Sequence, residues 1–107
     1  MKTGAELITD ERQRQIEKEG WTPEHDDEQK VALCVAGASY ALDVAARLAL
    51  TDWDSEFWSD SYQKIAREYW PWDAEWWKPT PQDNIRELVK AGALIAAEID
   101  RLQRSSK

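Results

Sequence analysis

Glu24-His-Asp-Asp-Glu28 places five ionisable side chains on five consecutive residues of this 107-residue chain. Carboxylates are hard oxygen ligands. They suit a magnesium ion, which keeps several of its waters and binds substrate phosphates directly. A solvated turn in which one acid caps a helix is the plainer reading, but capping needs one acid and four are present. Glu24, Asp27 and Glu28, joined by Glu98 from farther along the chain, are therefore the candidate ligands of a magnesium site. His25 among acids offers too few ligands for a transition-metal centre.

A second group is aromatic. Trp21, Trp53, Trp58, Trp70, Trp72, Trp76 and Trp77 make seven tryptophans, several of them in Trp70-Pro-Trp-Asp-Ala-Glu-Trp-Trp-Lys-Pro79. Tryptophan buries a large area with few rotatable bonds, so the set could simply build a core. It could equally form a stacking platform for a base, or anchors for a protein partner. Trp76 and Trp77 are adjacent in one short turn and cannot both point inward, so one of them is expected at the surface. A third group is basic: Arg12, Arg14, Lys78, Arg86 and Lys90. Arg86 and Lys90 are one helical turn apart, and Lys78 closes the tryptophan loop just before the same helix, an arrangement suited to phosphate. Ion pairing, for example of Lys90 with Glu87, is the alternative use of these charges. Trp72, Trp76, Trp77, Lys78, Arg86, Lys90 and Arg12 form the candidate ligand-binding set.

Composition limits the function classes. Acidic residues outnumber basic ones, 21 to 14, giving a net charge of −7. That balance argues against binding a nucleic-acid backbone, which needs lysine and arginine stripes. It fits a metal site or a basic protein surface. Cys34 is the only cysteine, which excludes an internal disulfide and a multi-cysteine zinc site. It sits in an apolar run and is expected to be a buried structural thiol. The N-terminal residues lack the apolar core of a signal peptide. The most apolar stretch, Val31 to Leu50, contains Asp43 and Arg47 and reads as a buried helix, not a membrane span. The chain is thus expected to be a cytoplasmic protein without a membrane partner. No Walker loop, dinucleotide fingerprint or catalytic-triad signature is present.

The elements that must position these groups are helical, and no strand alternation occurs. A first helix is expected over residues 4–19, opened by a Thr3-x-x-Glu6 capping box and closed by Gly20 in the left-handed position. It is polar on most faces. A second helix is expected from about Asp27 to Ala49, with Asp26 and Gln29 in capping-box spacing. It is apolar nearly all round, as suits the centre of a bundle. Trp58, Tyr62, Ile65 and Tyr69 repeat at helical spacing and predict a third helix over about 55–69. Three prolines make 70–81 an irregular connection. The last helix is opened by Thr80-Pro81-Gln-Asp83, and Ile85, Leu88, Val89, Gly92, Ile95, Ile99 and Leu102 form the stripe expected to face the core. The fold class is a single all-α domain, a bundle of three to four helices with an ordered tryptophan/proline loop before the last helix. The sparse apolar face of the first helix predicts self-association as a homo-oligomer.

Two blocks carry a resemblance. Ile8 to Asp27, with Glu-Gly-Trp-Thr-Pro-Glu-His-Asp-Asp at its end, and Trp70 to Pro79 followed by Leu88-Val-Lys-Ala-Gly-Ala-Leu-Ile-Ala-Ala-Glu-Ile-Asp-Arg-Leu102 resemble small uncharacterised helical proteins of phages and prophages. A more distant likeness is to MazG-like all-α nucleoside-triphosphate pyrophosphohydrolases, through the Glu-Arg-x-Arg-Gln opening, the acids of 24–28 and the Arg86…Glu98 helix. That resemblance implies a magnesium-dependent hydrolase, but the Glu-x-x-Glu pair of the family's second helix is absent because 30–42 contains no acid.

Three functions are expected from these observations. The first is a binding protein for a nucleotide-like molecule, stacked on tryptophan with its phosphates on Lys78, Arg86 and Lys90. In a phage protein this would sequester a host signalling nucleotide. The second is an inhibitor that meets a basic host protein through Asp52, Asp54, Glu56, Asp60, Asp73 and Glu75, with tryptophan anchors. The third is the magnesium-dependent pyrophosphohydrolase.

Overall fold

The computed structural model describes residues 1–106 and is all-helical. Helix α1, Gly4–Glu19, has both capping-box bonds, from Glu6 N to the Thr3 hydroxyl and from Thr3 N to the Glu6 carboxylate. Gly20 ends it with φ 72°, a left-handed conformation that a Cβ would strain. The second expected helix divides in two. Thr22 caps a short helix α2, Pro23–Asp27, because its hydroxyl accepts the His25 N–H and Pro23 takes the first position. A left-handed Lys30, φ 52°, then breaks the chain before α3, Ala32–Asp52. Asp26, expected to cap that helix, is fully buried instead and pairs with Arg12. Helix α4 spans Glu56–Glu68 under a Ser55 cap. A 3₁₀ turn, Ala74–Trp76, lies within the tryptophan loop. Helix α5, Asn84–Ser105, starts three residues later than the Pro81 signal suggests, since the Asp83 carboxylate takes the Arg86 N–H and Thr80 bonds back to the Asp83 carbonyl.

Helix α3 is central, with α4 and α5 packed on it and α1 laid across α5. Helices α3 and α5 run antiparallel: Gly37 meets Ala91 and Ile95, and ten residues on Arg47 meets Asn84 and Glu87. The shared core is Leu33, Ala36 and Tyr40 against Ala91, Leu94 and Ala97, with Trp21, Trp70, Trp72 and Trp77 packed on it. The charges inside the apolar stretch are also explained. Arg47 donates to Asp43 at 2.7 Å, to Glu87 at 2.7 Å and to Asn84 at 2.8 Å, and Glu87 takes the Thr80 N–H at 2.7 Å. Helix α3 is long and apolar enough to cross a membrane, yet these residues bind it to α5 as a core helix.

Two expectations about burial are corrected. Cys34 is exposed. In α5, the buried face is Glu87, Val89, Ala91, Ala93, Leu94 and Ala97, whereas Ile85, Leu88, Ile95, Ile99 and Leu102 are all exposed. Of the expected stripe only Val89 is buried. The cause is close helix approach: alanines let α3 come near, and the larger aliphatics are displaced to the rim.

Two glycines allow close approach, Gly37 between α3 and α5 and Gly92 between α1 and α5. A Cβ on Gly92 would lie 2.5 Å from Ile8 Cδ1 of α1, and one on Gly37 would lie 2.9 Å from Ile95 Cγ1 and 3.1 Å from the Ala91 carbonyl oxygen. The Gly37 contact is with backbone, which yields less readily than a side-chain tip. Gly37→Ala is expected to cost about 1–3 kcal/mol in chemical denaturation through overpacking, against a helix-propensity gain of about 1 kcal/mol.

Candidate functional site: an aromatic pocket edged by cations

A cavity of about 640 Å³ opens between α1, α2, α5 and the tryptophan loop. That volume is within the roughly 300–1,000 Å³ typical of small-molecule sites. Its aromatic wall comes from three elements. Tyr40 of α3 is backed by Trp77, stacked at 4.9 Å and 15°, and by Trp70 edge-on at 5.2 Å. Trp72 lies between Trp70 (5.3 Å) and Trp21 (6.4 Å), and its indole N–H donates to Gln29 at 3.0 Å. Trp21 is parallel to His25 at 6.2 Å. Beyond its 3₁₀ turn the loop is held in place by single bonds: Trp70 Nε1 donates to the Asp73 carbonyl, and the Lys78 N–H donates to the Tyr40 hydroxyl. Burial raises the Tyr40 pKa, so that hydroxyl stays neutral and available as an acceptor.

The opposite wall is polar. Glu11 of α1 is buried and bound by Arg14 through two bonds of 2.8 and 3.0 Å, by Arg86 at 2.7 Å and by Gln15 at 3.2 Å. Burial works to raise its pKa, but the two guanidinium groups outweigh this and hold the carboxylate below its usual range. Arg14 also pairs with Glu19 at 3.0 Å, so two acids balance the two arginines, and the unmatched positive charge of this wall comes from the lysines. Lys90 projects from α5 one turn beyond Arg86. Its ammonium donates to the Lys78 carbonyl at 2.7 Å and lies 5.6 Å from the Tyr40 ring centroid. Burial, and then the neighbouring Arg86, lower its pKa. The Lys78 ammonium lies 5.6 Å from the centroid of the Trp76 ring. Among the described residues neither Lys78 nor Lys90 has a carboxylate partner. The alternative pairing of Lys90 with Glu87 does not form, because Glu87 is bound to Arg47.

The structure brings together Trp72, Trp76, Lys78, Arg86 and Lys90 from the expected ligand-binding set. Trp77 is beside the cavity, supporting Tyr40 from behind, and Trp76 is the half-exposed member of the adjacent pair, at 51%. Arg12 is a correction: its guanidinium points away from the cavity, to the Trp21 carbonyl at 3.1 Å and to Asp26, and so fixes α2 to α1. The expected metal ligands do not converge. Asp27 pairs with Arg104 at 2.8 Å and Glu98 with Arg101 at 2.6 Å, while Glu24 and Glu28 are exposed. Among the described residues no three His, Cys, Asp or Glu side chains come together as a metal site.

Tyr40, Gln15 and Glu11 line the cavity without having been singled out from the sequence. The spacing of Glu11, Arg14 and Gln15 (i, i+3, i+4) places all three on one face of α1, which was the available signal. Tyr40 lies inside an apolar helix and carries none. Comparison with protein-family models, with curated proteins and with solved structures finds no match to this chain.

Proposed function

We propose that the pocket binds a small anionic molecule with a flat aromatic ring, of the nucleotide class. The observation that carries this reading is the pairing of an indole wall with two lysines that lack carboxylate partners. A partly buried ammonium without a counter-charge favours an anion, and base-on-indole stacking contributes about 1–3 kcal/mol. The ring stacks against Trp72 and Trp76, and the phosphates meet Lys78, Lys90 and the outer edge of Arg86.

Titration of intrinsic tryptophan fluorescence with mono-, di- and cyclic nucleotides tests this. Saturable quenching is expected, and the absence of any change with all of them would dispose of the proposal. Lys90→Met keeps the aliphatic stem over Tyr40 and removes the charge. It is expected to weaken nucleotide binding about ten- to hundredfold, the effect of one charge-assisted hydrogen bond, and to leave nucleoside binding nearly unchanged.

A second reading rests on the α3–α4 turn and the start of α4. Trp53, Phe57 and Trp58 are 68, 69 and 47% exposed beside the exposed acids Asp52, Asp54, Glu56 and Asp60. Exposed aromatics among acids suit a basic protein partner. Capture of such a partner at low salt and its loss at high salt is the expected result. Capture unaffected by salt, or by Trp53→Ser with Phe57→Ser, would oppose it.

A further inference from the structure

The aliphatic stripe of α5 has a spacing that matters once it is seen to be exposed. Ile85, Leu88, Gly92, Ile95, Ile99 and Leu102 follow one another at steps of 3, 4, 3, 4 and 3 residues. This is the register of a seam that packs against another helix. The five side chains are 43–67% exposed. On the same helix Arg86, Lys90 and Leu94 line the cavity, so the seam and the pocket occupy opposite sides of α5. Within the chain, Ile8 of α1 lies against the seam at Gly92 and Gly37 of α3 lies against it at Ile95. Beside it, Cys34, Ala41 and Leu48 share the Gly37 face of α3, at spacings of 7, and continue the surface. None of these positions is charged, in a chain of which 33% of residues are charged.

We infer that this α3–α5 face is the interface of a symmetric dimer of the chain, with the two α5 seams packed antiparallel across a two-fold axis. Three observations select a second copy over another protein. The 3–4 spacing is self-complementary: a seam of knobs and holes fits its own image, as an isologous contact requires. No seam position is an acid and the nearest acids, Asp10 and Asp83, border only its Ile85 end, so the seam gives a basic partner little to attract it and two acidic chains can meet along it without direct repulsion. The area is also adequate. The exposed stripe residues with Leu48 present on the order of 500 Å² of apolar surface, more than half of the ~800 Å² per partner of a standard interface before any polar rim is counted. At the rim, Arg101 is already neutralised by Glu98 through two bonds of 2.6 and 3.0 Å. The pairing leaves both pockets open on the outer sides of the dimer and does not depend on what they bind.

Sedimentation equilibrium of the intact chain at high micromolar concentration tests the inference. The expected mass is twice the 12.4 kDa of one chain, and a wild-type mass of one chain would overturn it without recourse to any variant. Ile99→Glu with Leu102→Glu is expected to halve the mass with unchanged helical circular dichroism and to speed alkylation of Cys34. A dimer that survives this pair of changes, or one lost instead on Trp53→Ser with Phe57→Ser around the α3–α4 turn, places the interface elsewhere and overturns the assignment.

Discussion

Asp26→Ala is expected to remove about 3–5 kcal/mol of stability, the typical cost of leaving one member of a buried ion pair without its partner. Asp26 is fully buried and the Arg12 side chain is only 12% exposed. Without the carboxylate, Arg12 keeps a single bond, to the Trp21 carbonyl. For a chain of this size each kcal/mol moves the midpoint of thermal unfolding by about 4–8 °C, so a fall of roughly 12–40 °C is expected in a thermal melt. The consequence reaches the pocket as well. Arg12 is what holds α2 to α1, and with it the parallel Trp21 and His25 rings. Ligand affinity therefore falls along with stability, although neither Asp26 nor Arg12 lines the cavity. Asp26→Asn retains the shape and one acceptor and should lie between the wild type and the alanine variant. Equal stability of all three would show that the buried pair contributes nothing.

The second large effect depends on pH. Burial, and then the Asp43 carboxyl beside it, push the Glu87 pKa up to about 7. Arg47 opposes the shift, but one guanidinium shared between two buried carboxyls leaves a net negative charge unless one of them holds a proton. The sign follows directly. A carboxyl whose folded pKa lies above its unfolded value favours folding below the unfolded pKa, and that contribution is lost as pH rises toward the folded one. Stability of the wild type should thus decline from about pH 4.5 to about pH 7, by about 3 kcal/mol at 1.36 kcal/mol per unit. Glu87→Gln is neutral at every pH. Its amide oxygen can still accept from Arg47 and Thr80, and its amide N–H₂ can donate to Asp43. It should remove most of the slope and be more stable than the wild type at pH 8. Urea midpoints at pH 5 and pH 8 read this. A variant less stable than the wild type at pH 8 would mean that the Arg47 pair outweighs the burial of the charge.

These two clusters show where sequence and structure part. The Thr3–Glu6 box, Gly20 and the bounds of α1 were legible because caps are local, decided by residues three or four apart. The break at Lys30 was not, since it depends on Thr22 and Pro23 starting a short helix that tertiary contacts then stop. The α5 stripe was legible as a stripe, but its direction was misread. Periodicity reveals which residues share a face and says nothing about which partner meets it, and here the alanine face lies against α3. The site follows the same rule. Arg86 and Lys90 on one turn, and Lys78 at the loop junction, were readable from spacing. Arg12 was assigned to the ligand on charge alone, and the buried Asp26 fourteen residues away takes it. The acids of 24–28 looked like one cluster because they are consecutive, but a helical turn points consecutive side chains in different directions. Tyr40 could not be found at all, because its role comes from the loop that folds over it.

The seven indole N–H groups give one amide-region NMR signal each, and their response to a nucleotide tests the pocket most directly. The signals of Trp21, Trp70, Trp72 and Trp76, which line the cavity, are expected to shift on saturation, that of Trp77 to respond more weakly from behind Tyr40, and those of Trp53 at the end of α3 and Trp58 on α4 to stay in place. Shifts confined to Trp53 and Trp58, or no shift at any of the seven with any nucleotide, would contradict it.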